Sequence, residues 1–271
     1  MPNSEILRET PWSKVVRHSD GDDVRYVKTV APPIRHEIAL HQLLARRHPN
    51  LVLDPLSVHA ERGEFVLPDA GPMLRDSDIT IVDWEALLPI YAALQREEAA
   101  HLEEHHGLGV PDRSPRALLK LFPNLDGLET LVDQVSAGPL PLSLNHGDLH
   151  DGNVFRGGHL GYRILDWGDA SIGHPFASLR TVMVSVEIRF QLEEDDPELD
   201  RLRAIYLNEW THLAPLEDLQ ALEKKVRPLA SLNSALSWQT SLSCATPEEA
   251  APFAHAVPSL IEEFHELRAA L

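Results

Sequence analysis

Hydrophobic and polar positions in the first seventy residues alternate in short runs, a pattern typical of strands in a half-buried sheet. Asp20-Gly21 separates the first two runs, and this pair is typical of a tight hairpin turn. Residues 34–48 instead follow a helical period, directly after Pro32-Pro33, and proline is favoured in the first turn of a helix. The strands are predicted at 14–18, 24–30, 51–58 and 64–67.

The pattern changes after the segment PDAGP (68–72). Hydrophobic residues then recur mainly at helical spacing, and strand signals remain only near 142–145, 154–155 and 162–166. The helices are predicted at 83–105, 115–135, 176–194, 198–212, 216–240 and 247–270. We therefore expect an α+β protein with an N-terminal sheet-plus-helix unit, 1–70, and a larger mainly helical unit, 71–271.

Charge and cysteine content narrow the classes of function. The chain has 271 residues, a formal net charge of −18 and only five lysines, so it does not fit a general nucleic-acid binder, which needs basic patches for phosphates. A negative surface is compatible with a cationic small-molecule substrate, whose approach it would favour, but solubility or an acidic proteome explains the charge equally simply. The single cysteine, Cys244, fits a reducing compartment, and no leader or membrane span is visible. We expect a cytoplasmic protein without a membrane or nucleic-acid partner.

The densest group of polar residues is HGDLHDGN (146–153), and the strand-like run YRILDW follows it. Asp148 stands five residues before Asn153, and Asp166 ends the strand-like run. Phosphoryl transfer to a hydroxyl needs one carboxylate beside the acceptor oxygen. It also needs amide and carboxylate oxygens that hold Mg²⁺ against the nucleotide phosphates. Turn chemistry alone also favours Asp, Asn and Gly, so this block is informative only together with others.

Both HGDLHDGN (146–153) and ILDWGDASIGHP (164–175) resemble the aminoglycoside phosphotransferase and choline kinase-like branch of the protein-kinase fold. The resemblance implies a two-lobed fold with Asp148 as catalytic base and with Asn153 and Asp166 as metal ligands. His146 would support the loop from beneath. Glycine at 147, where protein kinases usually have arginine, favours the branch that phosphorylates small molecules.

A site of this kind also needs a strand lysine for the nucleotide phosphates and a helix glutamate that holds the lysine. Lys28 lies in the run VRYVKTV, and Glu37 follows in the next predicted helix. The alternative is an exposed strand lysine without a partner. The two downstream blocks favour the functional role of Lys28 and Glu37 in binding ATP.

The resemblance is weaker at the loop that should cover the phosphates, near Thr10–Ser13, because this loop contains no glycine. Ser13 is the predicted phosphate contact there, and Trp12 either covers the nucleotide or belongs to the core. In the predicted hinge at 68–72 the prolines lack amide hydrogens, so the amides of Asp69 or Ala70, or of the following glycine, are expected to meet adenine.

A second departure from the family follows ILDWGDASIGHP. Ser178 stands where related sequences often carry an aspartate that anchors the structure. Its absence bears on the subfamily more than on activity.

Two other motifs, a zinc-peptidase pattern and an acidic run, have alternative interpretations. HLEEH (101–105) matches a zinc-peptidase pattern, but it lies in a charged helical segment without a further supporting motif. The acidic run EEDDPELD (193–200) either contacts a cationic acceptor or forms a solvated start of a helix, and like-charge runs are usually solvated.

The sequence therefore predicts an ATP- and Mg²⁺-dependent phosphotransferase that acts on a hydroxyl of an aminoglycoside, an amino sugar or an amino alcohol. The alternative is a nucleotide-binding regulatory protein of the same fold without catalysis. Protein phosphorylation is disfavoured because only eight residues separate Asp166 from Pro175, too few for a long activation segment.

Overall fold

The computed structural model describes residues 3–271, which form two compact units, each assembled from separated stretches of the chain. The first unit comprises residues 3–78, 151–169 and 236–256. The second comprises 79–150, 170–235 and 257–271. The sequence-based division into 1–70 and 71–271 stays a prediction, and the first unit extends beyond it by the two later stretches.

A five-stranded antiparallel sheet with strand order β1-β2-β3-β5-β4 forms the main part of the first unit. Its strands are β1 Asn3–Glu9, β2 Ser13–Asp20, β3 Asp23–Val30, β4 Ser57–His59 and β5 Glu64–Pro68. The hairpin predicted at Asp20-Gly21 is present, with Asp20 paired to Asp23. Helix α1, His36–Arg47, packs one apolar side against the sheet through a buried cluster. The cluster comprises Val30, Ile34, Ile38, Phe65 and Leu67, with Trp12, Leu53, Val58 and Leu165 at its edge.

Two strands of this sheet differ from what the hydrophobic pattern predicts. All seven residues of β1 are exposed, so the strand carries no apolar alternation that a pattern search could detect. The predicted strand 51–58 is wrong over most of its length, because only Ser57–His59 is a strand. Leu51 and Val52 instead donate their amides to His48 O at the end of α1 and are buried in that turn.

A second, two-stranded ribbon belongs to the first unit and pairs β7, Val154–Arg156, with β8, Tyr162–Ile164. The late stretch 236–256 adds the end of one long helix and the short helix α9, Pro247–Ala250. Trp238 stacks on Phe253 at 5.2 Å between ring centroids, and Trp12 meets both rings edge-on. Trp12 is therefore a partly buried residue that packs against other aromatic rings and the edge of the core cluster, which agrees with the core alternative.

The second unit is mainly helical. A short ribbon pairs β6, Ser143–Asn145, with β9, Ser171–Gly173. Breaks interrupt three predicted helices, at residues 99–101, 122–127 and 251–255, and Pro123 lies in the second of these breaks. The helices are α2 Ile81–Glu98, α3 Leu102–Gly107, α4 Pro115–Leu121, α5 Leu128–Ser136, α6 Leu179–Phe190, α7 Pro197–Asn208, α8 Leu216–Leu242 (its last turns in the first unit) and α10 Ala256–Ala269.

A buried aromatic and polar core joins α2 to α7 and to the ribbon of β6 and β9. Tyr206 and Trp210 are fully buried, and Tyr206 donates its hydroxyl to Gln95 Oε1 at 2.5 Å. Gln95 Nε2 in turn donates to Asn145 Oδ1 at 2.9 Å. Because buried polar groups are costly unless paired, this network holds β6 at a defined position on α2.

No helix among residues 3–271 is long and apolar enough to cross a membrane. The sheet-plus-helix unit and the mainly helical unit confirm the predicted α+β class.

Candidate active site

Three predicted site residues that are far apart in the sequence meet in the first unit. Lys28 Nζ lies 2.5 Å from Glu37 Oε1 and 2.5 Å from Asp166 Oδ1. Lys28 comes from β3, Glu37 from the first turn of α1, and Asp166 from the chain just after β8. Lys28 is 7% exposed and Glu37 is fully buried, whereas the Asp166 side chain is 28% exposed, so the cluster is dry on the Glu37 side and open to solvent at Asp166.

Burial and neighbouring charges change the pKa values of Lys28 and Glu37 in this cluster. Burial alone would lower the pKa of Lys28, but the nearby carboxylates of Asp166 and Glu37 raise it above its usual value. Burial raises the pKa of Glu37 to about 7, with Lys28 acting against the shift and the charges of Asp166 and Asp169 adding to it. The lysine therefore stays protonated and keeps a positive charge beside Asp166, as phosphate binding requires.

Asn153 and Asp166 lie at the same end of the ribbon of β7 and β8. Asn153 immediately precedes β7, Asp166 follows β8 by two residues, and Leu165 N donates to Asn153 O at 2.9 Å. Asp166 has a φ of +64°, a left-handed conformation that aspartate tolerates better than most residues. The ribbon thus brings an amide side chain and a carboxylate into one neighbourhood.

These groups fit a magnesium ion by their chemistry. Mg²⁺ prefers oxygen ligands and usually takes only one or two protein carboxylates, with water and substrate phosphate completing the shell. Glu37 Oε2 is buried without a hydrogen-bond partner, and a Cβ added at Gly168 would lie 3.2 Å from it and 3.6 Å from Asp166 Oδ1. Glycine at 168 therefore keeps space open beside both carboxylates.

The loop that carries Asp148 is anchored in the second unit by a chain of hydrogen bonds. His146 is fully buried, its amide donates to the Tyr91 hydroxyl at 2.9 Å, and its Nδ1 accepts from the amide of Asp148 at 3.2 Å. The Tyr91 hydroxyl lies 2.8 Å from Ser178 Oγ. Gly147 has a φ of +83°, which glycine adopts without strain, so it permits the turn between His146 and Asp148.

The Asp148 carboxylate is the partly exposed end of this anchored loop. Its side chain is 38% exposed, and Oδ2 lies 3.3 Å from His150 Nε2. In the first unit, Asp151 is nearly buried and accepts from Arg75 Nε at 2.8 Å. No role was predicted from the sequence for His150 or Asp151. In the structure, His150 lies beside the predicted base, and Asp151 forms an ion pair with Arg75.

The polar groups of the turn between β1 and β2 form hydrogen bonds with one another. Thr10 N donates to Ser13 O at 2.8 Å, and Ser13 N donates to Thr10 Oγ1 at 3.0 Å. Ser13 is only 7% exposed. Ser13 thus bonds to Thr10 within its own turn, and its role as a phosphate contact stays a prediction.

The predicted hinge also has internal hydrogen bonds. Gly71 N donates to Asp69 Oδ1 at 2.9 Å, while Ala70 is buried and its carbonyl accepts from Arg163 Nη1 at 3.0 Å. The Gly71 amide is thus already used, which leaves Asp69 and Ala70 as the predicted adenine contacts.

Comparison with known proteins decides the family. Residues 39–216, about two thirds of the chain, match the phosphotransferase enzyme family. The chain belongs to this family. No curated protein matches the chain in sequence.

Solved structures of small-molecule kinases share the fold of this family member at low sequence identity. Choline kinase from Streptococcus pneumoniae superposes with a TM-score of 0.61 at 12% identity, covering 97% of this chain and 93% of the other. Macrolide 2'-phosphotransferase from Brachybacterium faecium gives 0.57 at 17% identity, with 94% and 91% covered. An aminoglycoside-3'-phosphotransferase of type VIII gives 0.51 at 18% identity, with 83% and 93% covered. The predicted kinase-like fold is confirmed.

Two residues with notable contacts, one in each unit, were not predicted from the sequence. Tyr91 lies inside a helix among apolar residues, and only the folded structure reveals its contact with the loop of Asp148. Arg8 lies on the exposed strand β1, with Nη1 3.5 Å from Asp166 Oδ2. No motif marks either residue, because each acts through a contact between segments distant in sequence.

The rival motifs have structural roles. His105 of HLEEH is fully buried with Nε2 2.9 Å from Glu98 Oε2, and no group of three His, Cys, Asp or Glu within residues 3–271 is arranged to hold a metal. In the acidic run, Asp196 caps α7 by accepting from Glu198 N at 2.9 Å. Part of the run also lines a cavity of about 740 Å³ together with Arg203 and Arg227.

Proposed function

We propose that this phosphotransferase-family protein transfers the γ-phosphoryl group of ATP to a hydroxyl group of a small molecule. The observation that carries the proposal is the buried cluster in which Lys28 contacts both Glu37 and Asp166 at 2.5 Å. A lysine held by a helix glutamate and placed beside a carboxylate is the arrangement that binds nucleotide phosphates next to a metal.

In the proposed reaction, the acceptor oxygen attacks the γ-phosphorus while the bond from phosphorus to the β,γ-bridging oxygen breaks and ADP leaves. Asp148 accepts the proton of the acceptor hydroxyl. Lys28 binds the nucleotide phosphates, and Asn153 and Asp166 would hold Mg²⁺, which neutralises charge on those phosphates when bound. Ser13, Asp69 and Ala70 are the further nucleotide contacts that we propose.

The acceptor that we propose carries an amine as well as a hydroxyl. The net charge of −18 favours the approach of cations. Relatives in fold are described as acting on choline, on macrolides and on aminoglycosides, so amino sugars and amino alcohols are the first compounds to test. The compartment that we propose is the reducing, ATP-containing cytoplasm.

A direct test incubates the purified protein with Mg²⁺-ATP and a panel of aminoglycosides, amino sugars and amino alcohols. Acceptor-dependent release of ADP is expected, together with a product heavier by one phosphoryl group in mass spectrometry. The Asp148→Asn variant is the negative control. Absence of ATP binding would overturn the proposal. Tight ATP binding without turnover on the whole panel would support a regulatory protein of the same fold, the alternative suggested by the glycine-free phosphate turn.

A further inference from the structure

Arg8 shares a face of the sheet with Lys28. Arg8 pairs directly with Val15, and Val15 pairs directly with Lys28, so the three side chains stand in one row across β1, β2 and β3. The two cations at the ends of this row reach the same carboxylate. Lys28 contacts Asp166 Oδ1 at 2.5 Å, and Arg8 Nη1 lies 3.5 Å from Asp166 Oδ2.

A bulge in β1 creates this arrangement. Ile6 pairs with Val16, but Arg8 pairs with Val15, so Leu7 is an extra residue in the strand. Without the bulge, Arg8 would pair with Lys14 and would point to the opposite face, because a shift of one residue reverses the side-chain direction. With the bulge, Glu9 instead pairs with Lys14, and the two form an ion pair of 2.8 Å there.

The neighbouring turn offers little to a phosphate group. The amides of Thr10 and Ser13 donate within the turn and Pro11 has no amide hydrogen, so the Trp12 amide and the Ser13 hydroxyl are the donors left there for a phosphate. The turn contains no glycine. A nucleotide triphosphate beside Lys28 therefore needs further donors from another part of this sheet.

We propose that Arg8 is a phosphate ligand for the donor nucleotide and supplements the few donors that the β1–β2 turn provides. This inference rests on the proposed function. A guanidinium group offers paired N–H donors that match phosphate oxygens. The Arg8 side chain is 47% exposed, so it can leave Asp166 for a phosphate without losing a buried contact. Asp166, released from the arginine, would then be one of the residues that hold Mg²⁺.

The test measures binding of ATP, ADP and adenosine to the wild type and to Arg8→Gln, with and without Mg²⁺. Arg17→Gln is the matched control, because Arg17 is a partly exposed strand arginine whose Nη1 lies 3.8 Å from Glu5. We expect Arg8→Gln to weaken ATP binding by about tenfold or more and adenosine binding by less than about twofold. Arg8→Lys should recover part of the loss, and Arg17→Gln should match the wild type. Thermal unfolding verifies that each variant is folded.

Three results would overturn the role of Arg8. These are unchanged ATP affinity in Arg8→Gln, an equal loss for ATP and adenosine, or tighter ATP binding, which would mean that Arg8 only blocks Asp166. If the wild type binds no ATP, the proposed function fails with it. If the wild type binds ATP and Arg8→Gln binds ATP as tightly as Arg17→Gln does, this inference alone fails.

Discussion

Lys28 and Glu37 form a buried ion pair whose nitrogen and oxygen are 2.5 Å apart, in a site that exposes 9% of the lysine side chain and none of the glutamate side chain. Removing one partner of such a pair leaves an uncompensated charge in a dry environment, whereas removing both charges together costs much less. The pair therefore bears on folding as well as on the proposed phosphate binding.

We expect Lys28→Met to lower the free energy of unfolding by about 3 kcal/mol at pH 8, because Glu37 must then stay charged without a partner or take up a proton. The double variant Lys28→Met with Glu37→Gln should recover much of this loss. Urea unfolding of the two single variants and the double variant forms a double-mutant cycle. The exposed pair of Lys14 and Glu9 is the control, with an expected change under about 1 kcal/mol. Equal effects at both pairs would contradict this prediction.

Asp148→Asn should lower kcat by about 10²- to 10⁴-fold, the range of a lost general base, and leave ATP affinity unchanged. The amide has the same shape but cannot accept the proton of the acceptor hydroxyl. Steady-state kinetics and equilibrium nucleotide binding separate the two effects. Asp133→Asn, an exposed position on α5, should behave as the wild type. Retained turnover in Asp148→Asn would refute the assignment of the base.

Magnesium should tighten ATP binding to the wild type, and chelation with EDTA should remove this gain. In Asp166→Asn the difference between the two conditions should largely disappear, because the charged oxygen ligand is lost. Isothermal titration calorimetry with and without Mg²⁺ measures both affinities. Asp22→Asn, in the exposed turn before β3, is the control. A full magnesium effect in Asp166→Asn would rule out its role as a ligand.

Tyr91→Phe should reduce kcat while ATP affinity stays close to that of the wild type. The variant removes the hydroxyl that accepts from His146 N, so the loop before Asp148 loses its anchor and a buried amide loses its partner. The expected loss of stability is about 1–2 kcal/mol. Kinetics, nucleotide binding and chemical unfolding are compared with Tyr26→Phe on β3. A variant with normal kcat would show that the anchor does not position the base.

Acid should destabilise the protein through two buried histidines. Burial lowers the pKa of His41 to about 4 and that of His174 to about 3. The neutral rings are therefore stabilising above the unfolded-state pKa near 6.5, and this contribution is lost as the pH falls from 6.5 toward 4, by about 1.4 kcal/mol per pH unit for each group.

His41→Gln tests this acid dependence directly. Glutamine can still donate to Leu53 O, the partner of His41 Nε2, but it cannot take up a proton in this range. Urea unfolding between pH 7.5 and 4.5 should show a smaller loss of stability for the variant than for the wild type. His18→Gln on the partly exposed strand β2 is the control. Identical pH dependence in all three proteins would contradict the prediction.

The sequence predicted those parts of the protein whose structure follows from the pattern of one continuous segment. The β2–β3 hairpin, helix α1 and the long helices have clear hydrophobic periods. The resemblance to the family is carried by motifs in two short blocks of sequence. The exposed strand β1 and the breaks around residues 99–101 and 251–255 lack such a signal, and β1 is defined instead by its pairing with β2. Arg8 illustrates the limit: its direction depends on one extra residue in a strand without hydrophobic alternation.

The first unit draws on three separated stretches of the chain, and this has a consequence for synthesis. Trp12 belongs to the beginning of the chain, yet the rings that cover it, Trp238 and Phe253, leave the ribosome near the end. The ribbon that carries Asp166 also arrives only after the first helices of the other unit. A nascent chain therefore cannot complete the first unit early. A chain that stops before residue 236 lacks the third stretch of the first unit and both rings that meet Trp12.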